Sequence, residues 1–352
     1  MLGLWVRVSV IVICLCLYSG FSYADSSLET IKNTFFELHS PRLGIAQTCT
    51  QPIEVSHNES QTSHVIQHCA AGLRNDGNAP FILLHTQQTK PVIVLLHGLS
   101  DSPYYMRSIA TTLHAQGHTV VVGLLPGHGI DDPIDVLHSQ DLASNWRDYT
   151  AQLINIAEPL GNKLVIGGFS TGGALATDYM LDNLTQVDGL MLFSGALRLA
   201  SNAETLAKIP FAKWISKRID GRYITTSLNP YKYPEISNHA ALILMDIIRD
   251  IRQKLADSTG VNIPIFAAHS QFDQVTPIEG IHQLISYAIA PHTLFEIDAS
   301  MKVCHANLPL DQAQVSNIGL DDPNPLSNCD ALKANPVHRH MLAMAVNFLS
   351  EQ

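Results

Sequence analysis

A serine stands between small residues in the segment Gly168–Gly172, whose sequence Gly-Phe-Ser-Thr-Gly matches the pattern G-x-S-x-G. The bare pattern is common, but here the apolar run 163–169 leads into it and a segment of helical period follows it. A serine on a tight turn between a strand and a helix projects its hydroxyl above the sheet, and the helix N-terminus favours negative charge developing nearby. The loop has neither G-x-G-x-x-G spacing nor a P-loop lysine, so a nucleotide-binding loop is the weaker interpretation. Ser170 is therefore predicted to be a nucleophile.

A serine hydroxyl needs a general base to become an effective nucleophile, and the base needs an acid that orients it. Among the 17 histidines, His305 is the predicted base because it follows the last predicted strand after a short loop. Asp273 is the predicted acid because it follows the apolar run 263–268 and completes the chain order Ser, Asp, His. A solvated carboxylate or a turn cap is the alternative for an aspartate after a strand. Two other bases and one other acid stay open, namely His338, His340 and Asp298.

An attacked ester carbonyl becomes an oxyanion, which preorganised N–H donors stabilise. The backbone N–H of Thr171, next after the nucleophile, is one predicted donor. The other is the N–H of Leu99, in the loop that follows the apolar run 92–96, where Gly98 allows close approach of the backbone; strand termination alone would also account for this glycine. No Cys/His spacing indicates a metal site, so none is predicted.

Runs that are apolar on both faces alternate with segments of helical period, which predicts an α/β fold with a mostly parallel sheet between helices. In open sheets of this kind the site lies at the carboxyl ends of the strands, where the candidate residues fall. Residues 198–261 interrupt the alternation with helix-like spacing and several aromatic side chains, so we expect a helical insertion above the strand ends. A final helix is predicted from about Pro336 to Leu349. The strand-like runs are 81–84, 91–97, 119–125, 163–169, 189–193, 263–268 and 293–297.

The first 24 residues have the layout of a secretory signal peptide. Arg7 precedes the short apolar stretch 8–17, and Ser22–Ala24 offers a small-residue cleavage site. Because the stretch is short for a membrane-spanning helix, we expect cleavage near Ala24, export to the periplasm or the exterior, and no transmembrane segment in the mature chain. An uncleaved anchor is the alternative. Residues 25–75 are expected to be a polar, irregular extension ahead of a main domain over 76–352.

Export leaves four cysteines in the mature chain, and an oxidising compartment permits them to pair. Three connectivities are open, and four buried free thiols are the alternative. The sequence-local pairing closes the shortest loops and is the one predicted here, with Cys49 bonded to Cys69 and Cys304 bonded to Cys329.

The charge balance argues against a nucleic-acid partner. The 21 basic and 31 acidic side chains give a formal net charge of −10, and no run of Lys or Arg forms a basic patch. With 46% apolar and 15% charged residues, the chain is not globally disordered.

Five ordered motifs resemble those of the α/β-hydrolase superfamily, most closely the monoacylglycerol lipase, lysophospholipase and carboxylesterase group, also labelled serine aminopeptidase-like hydrolases. The resemblance covers about residues 80–305 and the final helix. It implies a helical cap within Arg198–Val261, an acyl-enzyme mechanism, and no metal or organic cofactor. The chain departs from the group in residues 306–335, which separate His305 from the last helix, and in its exported N-terminal extension. The motifs are Leu95–Leu99, Leu125–Gly129, Gly168–Gly172, Asp273–Pro277 and Lys302–His305.

The leading hypothesis is an exported serine hydrolase that cleaves carboxylic esters, with a small-molecule or lipid ester as substrate. The apolar and aromatic insertion favours an acyl chain over a charged peptide. One alternative is a peptidase or amidase of the same fold. The other is a catalytically inactive hydrolase fold that serves as a binding module, although an intact Ser/Asp/His set argues against it.

Overall fold

The computed structural model describes residues 27–55, 63–85, 88–220, 228–319, 329 and 332–352. The described residues form an eight-stranded sheet with the order β1-β2-β4-β3-β5-β6-β7-β8. β2 runs antiparallel to both of its neighbours, and every pair from β4 to β8 is parallel, which confirms the expected mostly parallel sheet. The strands are β1 (Ser63–Gln67), β2 (Phe81–His85), β3 (Val92–Leu96), β4 (Thr119–Gly123), β5 (Leu164–Phe169), β6 (Gly189–Phe193), β7 (Ile265–Ser270) and β8 (His292–Ile297).

Helices cover both faces of the sheet, as expected. α1, α4, α5, α8 and α9 contribute buried apolar side chains to the cluster on one face, and α2 and α11 contribute theirs to the cluster on the other. In the described part of the chain no helix is both long and apolar enough to cross a bilayer. The helices are α1 (27–43), α2 (Arg107–Ala115), α3 (Ile134–Leu137), α4 (Leu142–Ala157), α5 (Thr171–Asp182), α6 (Ser201–Leu206), α7 (Ala212–Ile219), α8 (Asn238–Asp257), α9 (Glu279–Ser286), α10 (Gln312–Ile318) and α11 (His338–Ser350).

Strand β3 shows why the strand-like runs are apolar throughout. Val92, Val94 and Leu96 join the cluster of α4 and α5, whereas Ile93 and Leu95 join the opposite cluster, and all five are buried. A strand between two helical layers has no face toward water, so each side chain must be apolar. Burying one such side chain contributes about 1.5–3 kcal/mol. The sheet is therefore a stable platform for the residues at its carboxyl edge.

The N-terminal region differs from the expected irregular extension. Residues 27–43 form α1, whose Phe35 is fully buried in the core. Residues Ser63–Gln67 form β1, which pairs antiparallel with β2 along its whole length. An edge strand with a solvated side needs few apolar residues, and β1 has only one buried side chain, Ile66, so its signal in the sequence is weak. The predicted signal peptide, 1–24, lies outside the described residues.

The insertion over 198–261 contains α6, α7 and α8, in agreement with its helix-like spacing. Its expected place above the strand ends holds only in part. Residues of α6 and the first residues of α8 line the cavity over Ser170. The rest of α8 packs against α4 and α5 and buries Ile247 and Ile251 in the core. The apolar face of α8 is long enough to join the helical layer on the sheet. Only part of the insertion therefore forms a cap over the strand ends.

Both cysteine pairs are disulfide-bonded in the sequence-local arrangement, Cys49–Cys69 and Cys304–Cys329. The two bonds span sequence separations of 20 and 25 residues. By restricting the unfolded chain, a crosslink over a loop of this length contributes about 3 kcal/mol. Cys304 immediately precedes His305, so the second bond also restrains the backbone of the predicted base.

Candidate active site

Ser170 occupies a strained turn between β5 and α5. Its φ of 52° and ψ of −117° lie outside the regions that residues with a side chain prefer, which costs about 1–3 kcal/mol. Backbone hydrogen bonds hold this conformation, since the Ser170 N–H donates to Phe193 O (3.1 Å) and the Ala196 N–H donates to Ser170 O (3.0 Å). The hydroxyl is thus fixed at the carboxyl edge of the sheet.

The glycines on either side of Ser170 are required by close backbone packing. A β-carbon built on Gly168 would lie 2.3 Å from the carbonyl oxygen of Leu96, and one built on Gly172 would lie 2.1 Å from the same oxygen. These are backbone contacts that cannot move aside cheaply. The two glycines of the G-x-S-x-G pattern are therefore needed for this turn to pack against β3.

The structure brings the three predicted residues together at one edge of the sheet. The distance from His305 Nε2 to Ser170 Oγ is 2.8 Å, and that from His305 Nδ1 to Asp273 Oδ2 is 2.7 Å. In this arrangement the serine hydroxyl donates to Nε2, and Nδ1–H donates to the carboxylate. The ring of Phe169 packs on the imidazole with 4.9 Å between centroids, which restrains its orientation.

Asp273 is held as a buried carboxylate. Its Oδ1 accepts the N–H groups of Val275 and Thr276, both at 2.9 Å, and its Oδ2 accepts the Thr276 hydroxyl at 3.0 Å. Burial alone would raise its pKa, but the neighbouring His305 imidazole and these hydrogen bonds hold the pKa of Asp273 well below its usual range. Asp273 is thus ionised at neutral pH and suited to orient an imidazole.

The alternative candidates lie elsewhere. Asp298 is exposed and caps a short helix by accepting the Ser300 N–H at 2.8 Å. His338 is buried and its Nε2 bonds the carbonyl of Pro309 at 3.2 Å. His340 is exposed and packs its ring on Phe295, 5.0 Å between centroids. None of the three has a hydrogen bond to Ser170 or His305 among the described residues.

The two predicted oxyanion donors line the same cavity as Ser170. In the part of the chain that the structure describes, the N–H groups of Leu99 and Thr171 donate no hydrogen bond within the protein. They are therefore available to a ligand oxygen.

His97 and His269 also support the site, although no role was predicted for either from the sequence. His97 Nδ1–H donates to Gly98 O (2.8 Å) and its Nε2 accepts the Leu125 N–H (3.1 Å), so it fixes the loop that carries Leu99. His269 Nε2–H donates to the Thr276 carbonyl at 2.6 Å. Burial lowers the pKa of both imidazoles, which keeps them neutral. Each stands at or just after a strand end, which is the only signal that marks them in the sequence.

Ser170 and His305 open onto a cavity of about 460 Å³. Two of its walls come from the insertion and from the Cys304–Cys329 disulfide. The exposed surface of its lining is mostly apolar, and Asp101 is the only carboxylate among the described residues that line it. In the described chain no group of three or more His, Cys, Asp or Glu side chains has a metal-binding arrangement. The apolar lining residues from the insertion and the loop after β7 are Leu199, Ala200, Ala203, Ile236, Ala241, Leu244 and Val275.

Comparison with known proteins finds similarity to hydrolases in part of the sequence and in the fold. The family model described as serine aminopeptidase, S33, matches residues 87–235. No curated protein matches the chain in sequence. Among solved structures, one of the metagenome-derived lipolytic enzymes LipS and LipT has a TM-score of 0.58 at 19% identity, over 78% of this chain and 98% of that chain. A soluble variant of monoglyceride lipase from Saccharomyces cerevisiae, in complex with a substrate analogue, has a TM-score of 0.53 at 12% identity, over 85% and 99%. At these identities the likeness shows the shared fold.

Proposed function

We propose that this chain, which has the α/β-hydrolase fold, hydrolyses carboxylic esters with Ser170 as nucleophile, His305 as general base and Asp273 as the orienting acid. The observation that carries the proposal is the chain of hydrogen bonds from Ser170 through His305 to Asp273, at 2.8 and 2.7 Å, opening onto an apolar cavity. A serine, an imidazole and an ionised carboxylate in this geometry are the parts that acyl transfer requires.

In the proposed mechanism, His305 Nε2 takes the Ser170 proton while Oγ attacks the acyl carbon. The carbonyl oxygen becomes negative between the N–H groups of Leu99 and Thr171. The imidazolium then gives its proton to the leaving alcohol as the C–O bond breaks, which leaves an acyl-serine. Water attacks this ester while His305 takes a proton from it, and Ser170 leaves with that proton. Asp273 stays ionised throughout and stabilises the imidazolium.

The cavity supports an ester rather than a peptide substrate. An aminopeptidase needs a carboxylate for the substrate's terminal ammonium, but Asp101, the sole carboxylate among the described lining residues, is 2% exposed and ion-paired with Lys232. The apolar walls fit a hydrocarbon chain. We therefore favour esters of the monoacylglycerol or lysophospholipid kind, or simple carboxylic esters.

A series of 4-nitrophenyl esters from two to sixteen acyl carbons, assayed beside aminoacyl 4-nitroanilides, tests this function. We expect turnover of the esters, with kcat/KM higher for medium than for two-carbon chains because each buried methylene contributes about 0.8 kcal/mol. Cleavage of the anilides without cleavage of any ester would favour the peptidase alternative. A wild-type protein that neither turns over esters nor reacts with a fluorophosphonate at Ser170 would favour the binding module.

An exposed apolar surface next to the cavity also supports an amphiphilic substrate. It lies on α6, α7 and the loop between them, where Phe211 is 81% exposed and Trp214 is 61% exposed. Residues 206–219 contain four basic and no acidic side chains, although the whole chain is acidic. Single exposed apolar residues are ordinary on a soluble protein, whereas a contiguous group marks an interaction site. The cap surface is defined here as Leu206, Ile209, Phe211, Trp214, Ile215 and Ile219.

The double variant Phe211→Ser/Trp214→Ser is expected to lose about fivefold or more in turnover of an aggregated long-chain ester, because it removes two large contacts with the lipid phase. Turnover of a soluble four-carbon ester is expected to stay within about twofold, since neither side chain lines the cavity. The matched control is Ile45→Ser/Ile289→Ser, which alters two residues of 89% and 65% exposure elsewhere. Equal losses in the two double variants would remove the cap surface from the argument.

We also propose that the chain is exported. The chain has two disulfides, and disulfides persist in oxidising compartments. The predicted signal peptide would direct the chain to such a compartment. The boundaries proposed for the mature protein remain 25–75 and 76–352, with α1 and β1 of the first segment packed onto the second.

A further inference from the structure

The loop that carries the proposed oxyanion donor Leu99 also holds a buried negative charge. Asp101 has a side chain that is 2% exposed. Its carboxylate packs against Gly98, since a β-carbon built there would lie 2.5 Å from Asp101 Oδ2. The Asp101 N–H donates to Gly98 O at 3.2 Å, which closes a tight turn around Leu99. A carboxylate so close to the oxyanion site would oppose the negative charge that develops there.

Lys232, from the insertion, supplies the compensating positive charge. Its Nζ lies 2.6 Å from Asp101 Oδ1 and 5.6 Å from the centre of the Tyr105 ring. The side chain is 25% exposed and lines the cavity that holds Ser170. Among the described lining residues it is the sole lysine or arginine. The charges of Lys232 and Asp101 therefore nearly cancel, although the Asp101 carboxylate is shielded from water.

The segment that carries Lys232 contacts the loop around Leu99, and the residues just after that loop, at two points. The Tyr233 N–H donates to Ser100 O at 2.8 Å. Ser100 has a φ of 67°, a left-handed conformation that a residue with a side chain adopts only when its surroundings hold it there. Tyr231 stacks on Tyr104 with ring planes 3.6 Å apart at their centroids and 1° between them. These contacts fix the ammonium of Lys232 relative to the turn around Leu99.

We propose that Lys232 is a positioning residue for the reaction: it neutralises Asp101 and so keeps the oxyanion site favourable to negative charge. The inference rests on the proposed ester hydrolysis and extends it to a residue from the insertion. Since the field of an unpaired carboxylate acts more strongly on the charged transition state than on a neutral ester, its effect falls on kcat more than on KM.

The test compares Lys232→Met, Asp101→Asn and the double variant. In Lys232→Met we expect kcat for a soluble ester to fall about 10- to 100-fold with KM within about threefold, because Asp101 is left unpaired. The double variant, which has neither charge, is expected to recover kcat to within about threefold of the wild type. Asp101→Asn alone, which leaves Lys232 without its partner, is expected to lose less kcat than Lys232→Met.

The double variant separates this electrostatic role from a purely structural one. If Lys232 only held the loop around Leu99 in place, removal of the second charge would not restore kcat. An electrostatic role predicts that kcat returns once neither charge is present.

Lys254→Met is a control for the loss of a cation from an ion pair with similar burial. Lys254 lies 2.7 Å from Asp178, with side-chain exposures of 27% and 2%, almost the same as for Lys232 and Asp101. Asp178 lies within α5, remote in sequence from the turn around Leu99, and Arg147 also pairs with it. Loss of this cation is expected to lower thermal stability but to leave kcat within about threefold.

The rate of Ser170 phosphonylation by a fluorophosphonate gives a second readout that does not depend on the choice of ester, since the phosphonyl oxygen enters the oxyanion site. Unchanged kcat and labelling rate in Lys232→Met would overturn the inference and leave the proposed function standing. A wild-type protein that neither hydrolysed esters nor reacted with the fluorophosphonate would overturn the proposed function itself. If Lys232→Met does not fold, the double variant decides, because a large loss of kcat there would show that the two charges are needed for another reason.

Discussion

Ser170→Ala is expected to lower kcat for ester hydrolysis about 10⁶-fold, to the level left by binding and the oxyanion site alone. The substitution removes the oxygen that His305 Nε2 bonds at 2.8 Å and leaves no group able to form the acyl intermediate. Ester turnover under conditions of excess enzyme measures the residual rate. Fluorophosphonate labelling, read by mass spectrometry of the intact protein, measures the loss of the nucleophile independently.

Ser170→Gly is the matched comparison for the integrity of the fold. Alanine keeps the β-carbon and therefore the strain at φ 52°, whereas glycine adopts this conformation without steric cost. Both variants are expected to be inactive, and the glycine variant is expected to unfold at the same temperature as the alanine variant or higher. A folded Ser170→Ala protein that retained more than about 1% of wild-type kcat would place the nucleophile elsewhere.

The local parts of the site could be predicted from the sequence because they depend on neighbours in the chain. Gly168 and Gly172 mark the turn on which Ser170 stands, and the apolar run before them marks β5. Asp273 and His305 could be chosen from their positions after β7 and β8, because the carboxyl ends of parallel strands share one edge of a sheet. Their approach to Ser170 thus follows from topology, without knowledge of any side-chain contact.

Contacts between side chains that are far apart in the chain were not predicted from the sequence. Lys232 and Asp101 are 131 residues apart in the chain, and they meet because the insertion returns over the oxyanion loop. Neither residue belongs to a local pattern. His97 likewise bonds a backbone N–H at Leu125, which only the parallel pairing of β3 and β4 brings within reach. Such contacts depend on how whole elements pack, and single-sequence periodicity carries no information on that.

The N-terminal region and α8 show that the presence and packing of whole strands and helices were also only partly predictable from the sequence. β1 lies at the edge of the sheet, and a strand covered on fewer sides has too few apolar residues to be recognised. For α8 the amphipathic spacing predicted a helix, but the layer that its apolar face joins depends on the partners available. α4 and α5 provide that partner surface, so most of α8 packs in the core, while Ala241 and Leu244 near its start line the cavity.

His305→Ala is expected to lower kcat nearly as far as Ser170→Ala, because the two side chains act as one unit. The imidazole is the only group among the described residues that hydrogen-bonds both Ser170 and Asp273, so no other base has the required geometry. Steady-state hydrolysis of a soluble ester measures the loss, and thermal unfolding verifies that the fold persists.

His338→Ala and His340→Ala are the controls for this assignment. His338 bonds Pro309 O at 3.2 Å within the core, so its removal is expected to lower the unfolding temperature while kcat stays within about threefold. His340 is exposed, and its replacement is expected to change neither quantity measurably. The base would have to be reassigned if either control lost turnover while His305→Ala kept it, since the hydrogen-bonded chain would then be a structural feature without a part in the chemistry.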